Sequence, residues 1–230
     1  MEENTNDHVP AELSPETIHK IIKEKVHRID REFTGAFEFI KNYDKSVTVF
    51  GSARFTENNP HYKQAEEIAK AISHLGYTIV TGGGGGIMEA ANKGAYELGN
   101  KSIGLNIRLA KHQGTNKYTT DAIQFEYFFA RKVALSFSAE AYLFFPGGFG
   151  TFDELFDMMT LIQTKKIRKV PIILVGHDYW DKLHEFIKDV MYEKHRAIGR
   201  EDMDLYKITD DVNEIIEIIK NVPIKPFLKK

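Results

Sequence analysis

The 230-residue chain contains no cysteine, which excludes disulfides and thiolate metal sites and suits a reducing, cytoplasmic setting. It also lacks any run of 18 apolar residues, and the polar start from Met1 to Asp7 is unlike a signal peptide, so no membrane association is expected. Neither sign of charge dominates. A formal net charge of −2 gives no electrostatic reason to expect a nucleic acid polymer as partner. The nine histidines show no metal-ligand spacing, and no Gly-x-Ser-x-Gly elbow is present. No metal and no cofactor are therefore expected. Internal repeats and low-complexity segments are absent as well.

What is present is an ordinary globular composition, 42% hydrophobic and 28% charged, at a length that suits one generous domain. Apolar, strand-like runs occur near 47–50, 77–80, 102–106, 141–145 and 170–175. Helical patterns lie between them, near 60–75, 86–98, 130–138 and 152–165, with two more at 179–192 and 211–220. This alternation predicts an α/β fold: a Rossmann-like three-layer sandwich around a central parallel sheet. A helix is expected from about Pro15 to Tyr43, capped by Ser14, with Ile18, Ile21, Ile22, Ile29, Phe33 and Phe37 on its apolar side. The expected organisation is a disordered tail (1–13), an N-terminal helical extension (14–45), the main α/β domain (46–222) and a C-terminal tail (223–230).

Ligands in parallel α/β sheets bind beyond the carboxyl ends of the strands. Three unusual segments fall there: Gly51-Ser52-Ala53-Arg54, five glycines at Gly82–Gly86, and Pro146-Gly-Gly-Phe-Gly-Thr151. The familiar glycine motifs do not fit. Ile87 stands where a dinucleotide fingerprint starting at Gly82 needs its third glycine, and no Gly-Lys-Ser/Thr follows either run. The third segment ends an apolar strand and enters an amphipathic helix expected to begin at Thr151. A glycine turn at a helix N-terminus can cradle an anion, and Glu154 supplies a carboxylate one turn on. Thr151-x-x-Glu154 is equally a capping box, in which both side chains serve only the helix. Near a helix start the dipole favours the anion, so Glu154 is expected to stay ionised. Arg131 and Lys132 open another helix, where cations oppose the dipole, which points to a role beyond helix stability. Phe152, Phe156, Met158 and Met159 leave the 152–165 helix little polar surface, consistent with a core element or a homodimer interface.

Together these residues resemble the Lonely Guy (LOG) family of nucleoside 5′-monophosphate phosphoribohydrolases. The family signature Pro-Gly-Gly-x-Gly-Thr-x-x-Glu is matched at every fixed position by 146–154. The resemblance extends over roughly 46–190 and includes Val49–Arg54, Thr81–Ala95 and Arg131-Lys132. It implies hydrolysis of the N-glycosidic bond of AMP or a cytokinin riboside monophosphate, releasing a free base and ribose 5-phosphate. Arg131 and Glu154 match the catalytic pair. Gly147, Gly148, Gly150 and Thr151 match the phosphate-binding turn, and Thr160 a ligand-contacting position. Gly51, Ser52, Arg54, Gly83, Gly84, Gly85, Glu89 and Lys132 line the implied cleft, with Gln113 and Asn116 on the base or ribose side. Members were long labelled lysine decarboxylases, yet no motif here places a lysine for a pyridoxal Schiff base. The alternative implied by related folds is a non-catalytic nucleotide- or cofactor-binding carrier.

Overall fold

The computed structural model describes residues 14–108 and 114–224. Seven strands form one sheet: β1 (Ser46–Phe50), β2 (Thr78–Thr81), β3 (Ser102–Ile107), β4 (Asp121–Phe125), β5 (Ala141–Phe144), β6 (Ile172–Leu174) and β7 (Lys207–Ile208). All neighbouring pairs are parallel, in the order β4-β3-β2-β1-β5-β6-β7. The α-helices are α1 (Pro15–Ile40), α2 (Pro60–His74), α3 (Ile87–Tyr96), α4 (Phe128–Ser136), α5 (Phe149–Gln163), α6 (His177–Glu185) and α7 (Val212–Lys220). A π-helical run, Phe186–Lys194, continues α6, and a short 3₁₀ turn spans Arg200–Asp204.

The central strands are buried on both faces, as their unbroken apolar character requires. Alternate side chains serve opposite layers. Val47, Val49, Ile79, Leu143 and Phe145 join one core with α2, α3 and α7. Phe50, Val80, Tyr142 and Phe144 join the other, with α1, α4, α5 and Trp180 of α6. Phe50 stacks on Phe144 at 4.7 Å between ring centroids, pinning the β1–β5 register. The chain leaves β1 towards one edge, through β2 to β4, and returns to add β5 on the other side. The direction of winding therefore reverses between β1 and β5, where doubly wound sheets open a ligand crevice.

Five strands were anticipated and two were not. β4 begins with an aspartate and is mostly exposed, and β7 has two residues, so neither carries an apolar run. The long N-terminal helix ends at Ile40, short of Tyr43. Only its C-terminal half packs on the body, through Ala36, Ile40 and ring contacts of Phe33 with Phe129 and of Phe37 with Phe137. The expected apolar positions Ile18, Ile21 and Ile22 are about half exposed. The predicted disordered tail 1–13 and most of the C-terminal tail lie outside the described residues.

Candidate active site

The three glycine-bearing loops meet at the β1–β5 reversal. The Ser52 amide donates to Pro146 O at 3.0 Å, joining the loop after β1 to the loop after β5. The Ile87 amide donates to Ser52 O at 3.0 Å, joining the loop after β2. Gly86 is demanded by this junction: its φ is +68°, and a Cβ there would lie 2.1 Å from Ser52 O. A Cβ on Gly82 would lie 2.1 Å from Arg131 Nη2. The five-glycine run is thus explained in part by close approach of this chain's own backbone and guanidinium.

The turn after β5 is different. A Cβ on Gly148 or Gly150 would meet nothing within 4 Å, and neither residue has a positive φ. Gly150 sits inside the first turn of α5, where glycine costs about 1 kcal/mol relative to alanine. No packing among the described residues asks for these glycines.

The helix after this turn starts earlier than expected. α5 begins at Phe149 with Gly148 as its N-cap, so Thr151 lies within the first turn and no side chain caps the helix. The capping-box reading of Thr151 and Glu154 is overturned. Glu154 instead sits in the second turn with its Oε2 buried and without a hydrogen-bond partner among the described residues. Burial pushes its carboxyl up to about 7, against the opposing pull of Arg131 and Lys132. Glu154 is therefore held less firmly ionised than its place near a helix start implies, because desolvation outweighs the pull of both cations.

Arg131, from the first turn of α4, reaches across the carboxyl ends of β3 and β2. Its Nε donates to Leu105 O at 2.7 Å and its Nη2 to Gly82 O at 3.4 Å. Burial holds its guanidinium below the ordinary arginine value, while Glu154 favours the charged form. Lys132 donates to Asp153 Oδ1 at 2.7 Å and so ties α4 to α5.

The remaining predicted residues fall into groups. Gly51, Ser52, Gly147 and Thr151 are brought together at the β1–β5 junction; a Cβ on Gly147 would lie 2.1 Å from Thr151 Oγ1. Glu89 lies in the first turn of α3, beside Gly83–Gly85. Arg54 is exposed next to this junction, its amide on Ser52 Oγ. Asn116 acts as a latch: its Nδ2 donates to Gly84 O and to Asn92 Oδ1, and its amide to Gly83 O. Thr160 is exposed near the far end of α5. Gln113 lies outside the described residues. Among the described residues, no group of three side chains is placed to hold a metal ion.

Two supports were not anticipated. Fully buried Asn92 accepts from Thr81 Oγ1 at 2.6 Å and donates to Ser102 Oγ at 2.8 Å, while Thr81 Oγ1 accepts from the Gly83 amide. A lone amide within an alanine-rich helix was the available signal. Tyr179 Oη donates to Gly147 O at 2.6 Å and fixes the β5 turn from α6; nothing in the sequence marked it.

With this geometry in view, comparison with known proteins is informative. The family described as "possible lysine decarboxylase" matches residues 88–219. The chain belongs to this family, the LOG family. Cytokinin riboside 5′-monophosphate phosphoribohydrolase LOG2 of Arabidopsis thaliana is 26% identical over 159 residues, covering 68% of this chain and 74% of the relative. The protein of Mycobacterium marinum named cytokinin riboside 5′-monophosphate phosphoribohydrolase is 24% identical over 155 residues, covering 66% and 82%. Among solved structures, the molybdenum cofactor carrier protein of Chlamydomonas reinhardtii superposes with a TM-score of 0.58 at 23% identity, covering 76% of this chain and 96% of the other. That likeness establishes the shared fold. No helix among the described residues is long and apolar enough to cross a membrane.

Proposed function

We propose that this LOG-family protein hydrolyses the N-glycosidic bond of a nucleoside 5′-monophosphate, AMP or a cytokinin riboside monophosphate, to a free base and ribose 5-phosphate. The observation that carries the reading is Glu154: a buried carboxylate oxygen beside Arg131, without a partner among the described residues, one turn below an open glycine turn. The phosphate would lie on the amides at the start of α5, where the helix dipole favours it. This remote contact would hold the sugar in place over the carboxylate.

Departure of the base leaves positive charge on the ribosyl ring, as in glycoside hydrolysis. The ionised Glu154 would stabilise that charge and orient a water molecule towards C1′. The C1′–N bond breaks with its electron pair going to the base. Water supplies the hydroxyl on C1′, and its second proton ends on the departing base. Arg131 favours the carboxylate form of Glu154 and would hold a ribose hydroxyl or the phosphate.

A carrier role fits the fold but leaves Glu154 unexplained, since a buried carboxylate without a partner costs stability and would repel a bound anion. We place the protein in the cytoplasm, in keeping with its lack of cysteine. A homodimer is part of the proposal: Phe149 is 97% exposed at the site's edge, and Phe156 of the same helix is also exposed. Incubation with AMP, followed by chromatography, is expected to give equimolar adenine and ribose 5-phosphate. Intact AMP, in spite of tight binding, would favour the carrier.

A further inference from the structure

A hollow of about 390 Å³ opens between α1 and β4, at the edge of the sheet and separated from β1 by β2 and β3. Its wall includes Arg28, Arg31, Glu32, Arg108, Ile123 and Glu126. Both carboxylates are already engaged. Glu32 accepts from the Glu126 amide at 2.7 Å and the Tyr127 amide at 3.2 Å. Glu126 accepts from Arg108 Nη1 at 2.8 Å. Arg28 and Arg31 have no ion-pair or hydrogen-bond partner among the described residues. They stand three positions apart on α1, which puts their Cβ atoms about 5–6 Å from one another on one face. Gly35 keeps the wall open, since a Cβ there would meet nothing within 4 Å. The volume lies within the range of small-molecule sites, roughly 300–1,000 Å³.

We propose that this hollow is a second ligand site, which takes a phosphate-monoester dianion with a small apolar body, held by Arg28 and Arg31. A phosphate monoester carries nearly two charges at neutral pH and offers three acceptor oxygens. Two guanidinium forks match that demand in charge and geometry. Ile123, half-buried in the wall, supplies the apolar contact. The site is separate from the glycine-rich junction and does not depend on the reaction proposed there.

The test is calorimetric titration of the full chain with inorganic phosphate and with phenyl phosphate. It is run in a Gly148→Asp background, which places a carboxylate in the open turn after β5 and is expected to weaken anion binding there by about tenfold or more. Phenyl phosphate is expected to bind at one site, more tightly than inorganic phosphate, and about tenfold or more weakly once Arg28→Gln and Arg31→Gln are added. Both arginines are exposed, so these variants retain the fold. Unchanged affinity in the arginine variants overturns the proposal. So does complete loss of binding in Gly148→Asp alone, which would assign all phosphate binding to the turn after β5 and leave the hydrolase reading intact. Equal affinities for the two probes overturn the apolar part of the assignment.

Discussion

Arg131 acts on Glu154 through space while giving its Nε hydrogen to Leu105 O, not to the carboxylate. The result is a carboxylate that is poised and not neutralised. Had the two formed a close ion pair, Glu154 would be held well below 7 and its oxygens would be occupied. As arranged, Oε2 has no hydrogen-bond partner among the described residues and is left open to one from a ligand or a water molecule.

The elevated carboxyl gives a signed prediction for stability. A carboxyl raised from 4.5 to about 7 contributes stability below pH 4.5 that is lost as pH climbs through 7. Glu154→Gln removes that loss. The variant is therefore expected to be more stable than wild type above pH 7, by at most about 3 kcal/mol, with the gap closing as pH falls from 7 to 4.5. Thermal melts at pH 5 and pH 8 check it; an equal difference at both values contradicts the buried, elevated carboxyl.

The same group predicts the pH dependence of activity. With the carboxylate as the working form, kcat/KM for AMP is expected to rise with pH through about 7. A profile that falls through that range would assign Glu154 to proton donation instead.

Gly148→Asp separates the anion cradle from the fold. Aspartate is a favoured N-cap, and its Cβ meets nothing at this position, so the melting temperature should hold or rise slightly. The added charge in the turn should weaken AMP binding by about tenfold or more. Retained affinity in equilibrium binding would remove the phosphate from this turn.

Asn92→Ala tests the support beneath the loop after β2. It leaves Thr81, Ser102 and Asn116 short of partners in a buried setting and should cost about 2–4 kcal/mol in denaturant unfolding. A loss below about 0.5 kcal/mol would show that water or repacking replaces the network.

The sequence made the centre of the sheet legible because β1, β2, β3, β5 and β6 are apolar runs that end in turn residues. The edge strands β4 and β7 left no such trace, since one is largely exposed and the other has two residues. Pro146–Glu154 was readable as a glycine turn followed by a helix carrying a carboxylate, but the helix start was misplaced because α5 uses Gly148 as its N-cap and Gly150 in its first turn, both poor helix formers. The raised carboxyl of Glu154 was not legible for a related reason. Dipole and neighbours can be read from position in the chain, whereas desolvation depends on which elements close over the side chain.

The most direct measurement compares wild type with Glu154→Gln for adenine release from saturating AMP, with AMP affinity measured in parallel. Wild type is expected to release adenine, and the variant to show a kcat lower by about 10²-fold or more with affinity preserved. Near-normal turnover by a folded Glu154→Gln protein would contradict this.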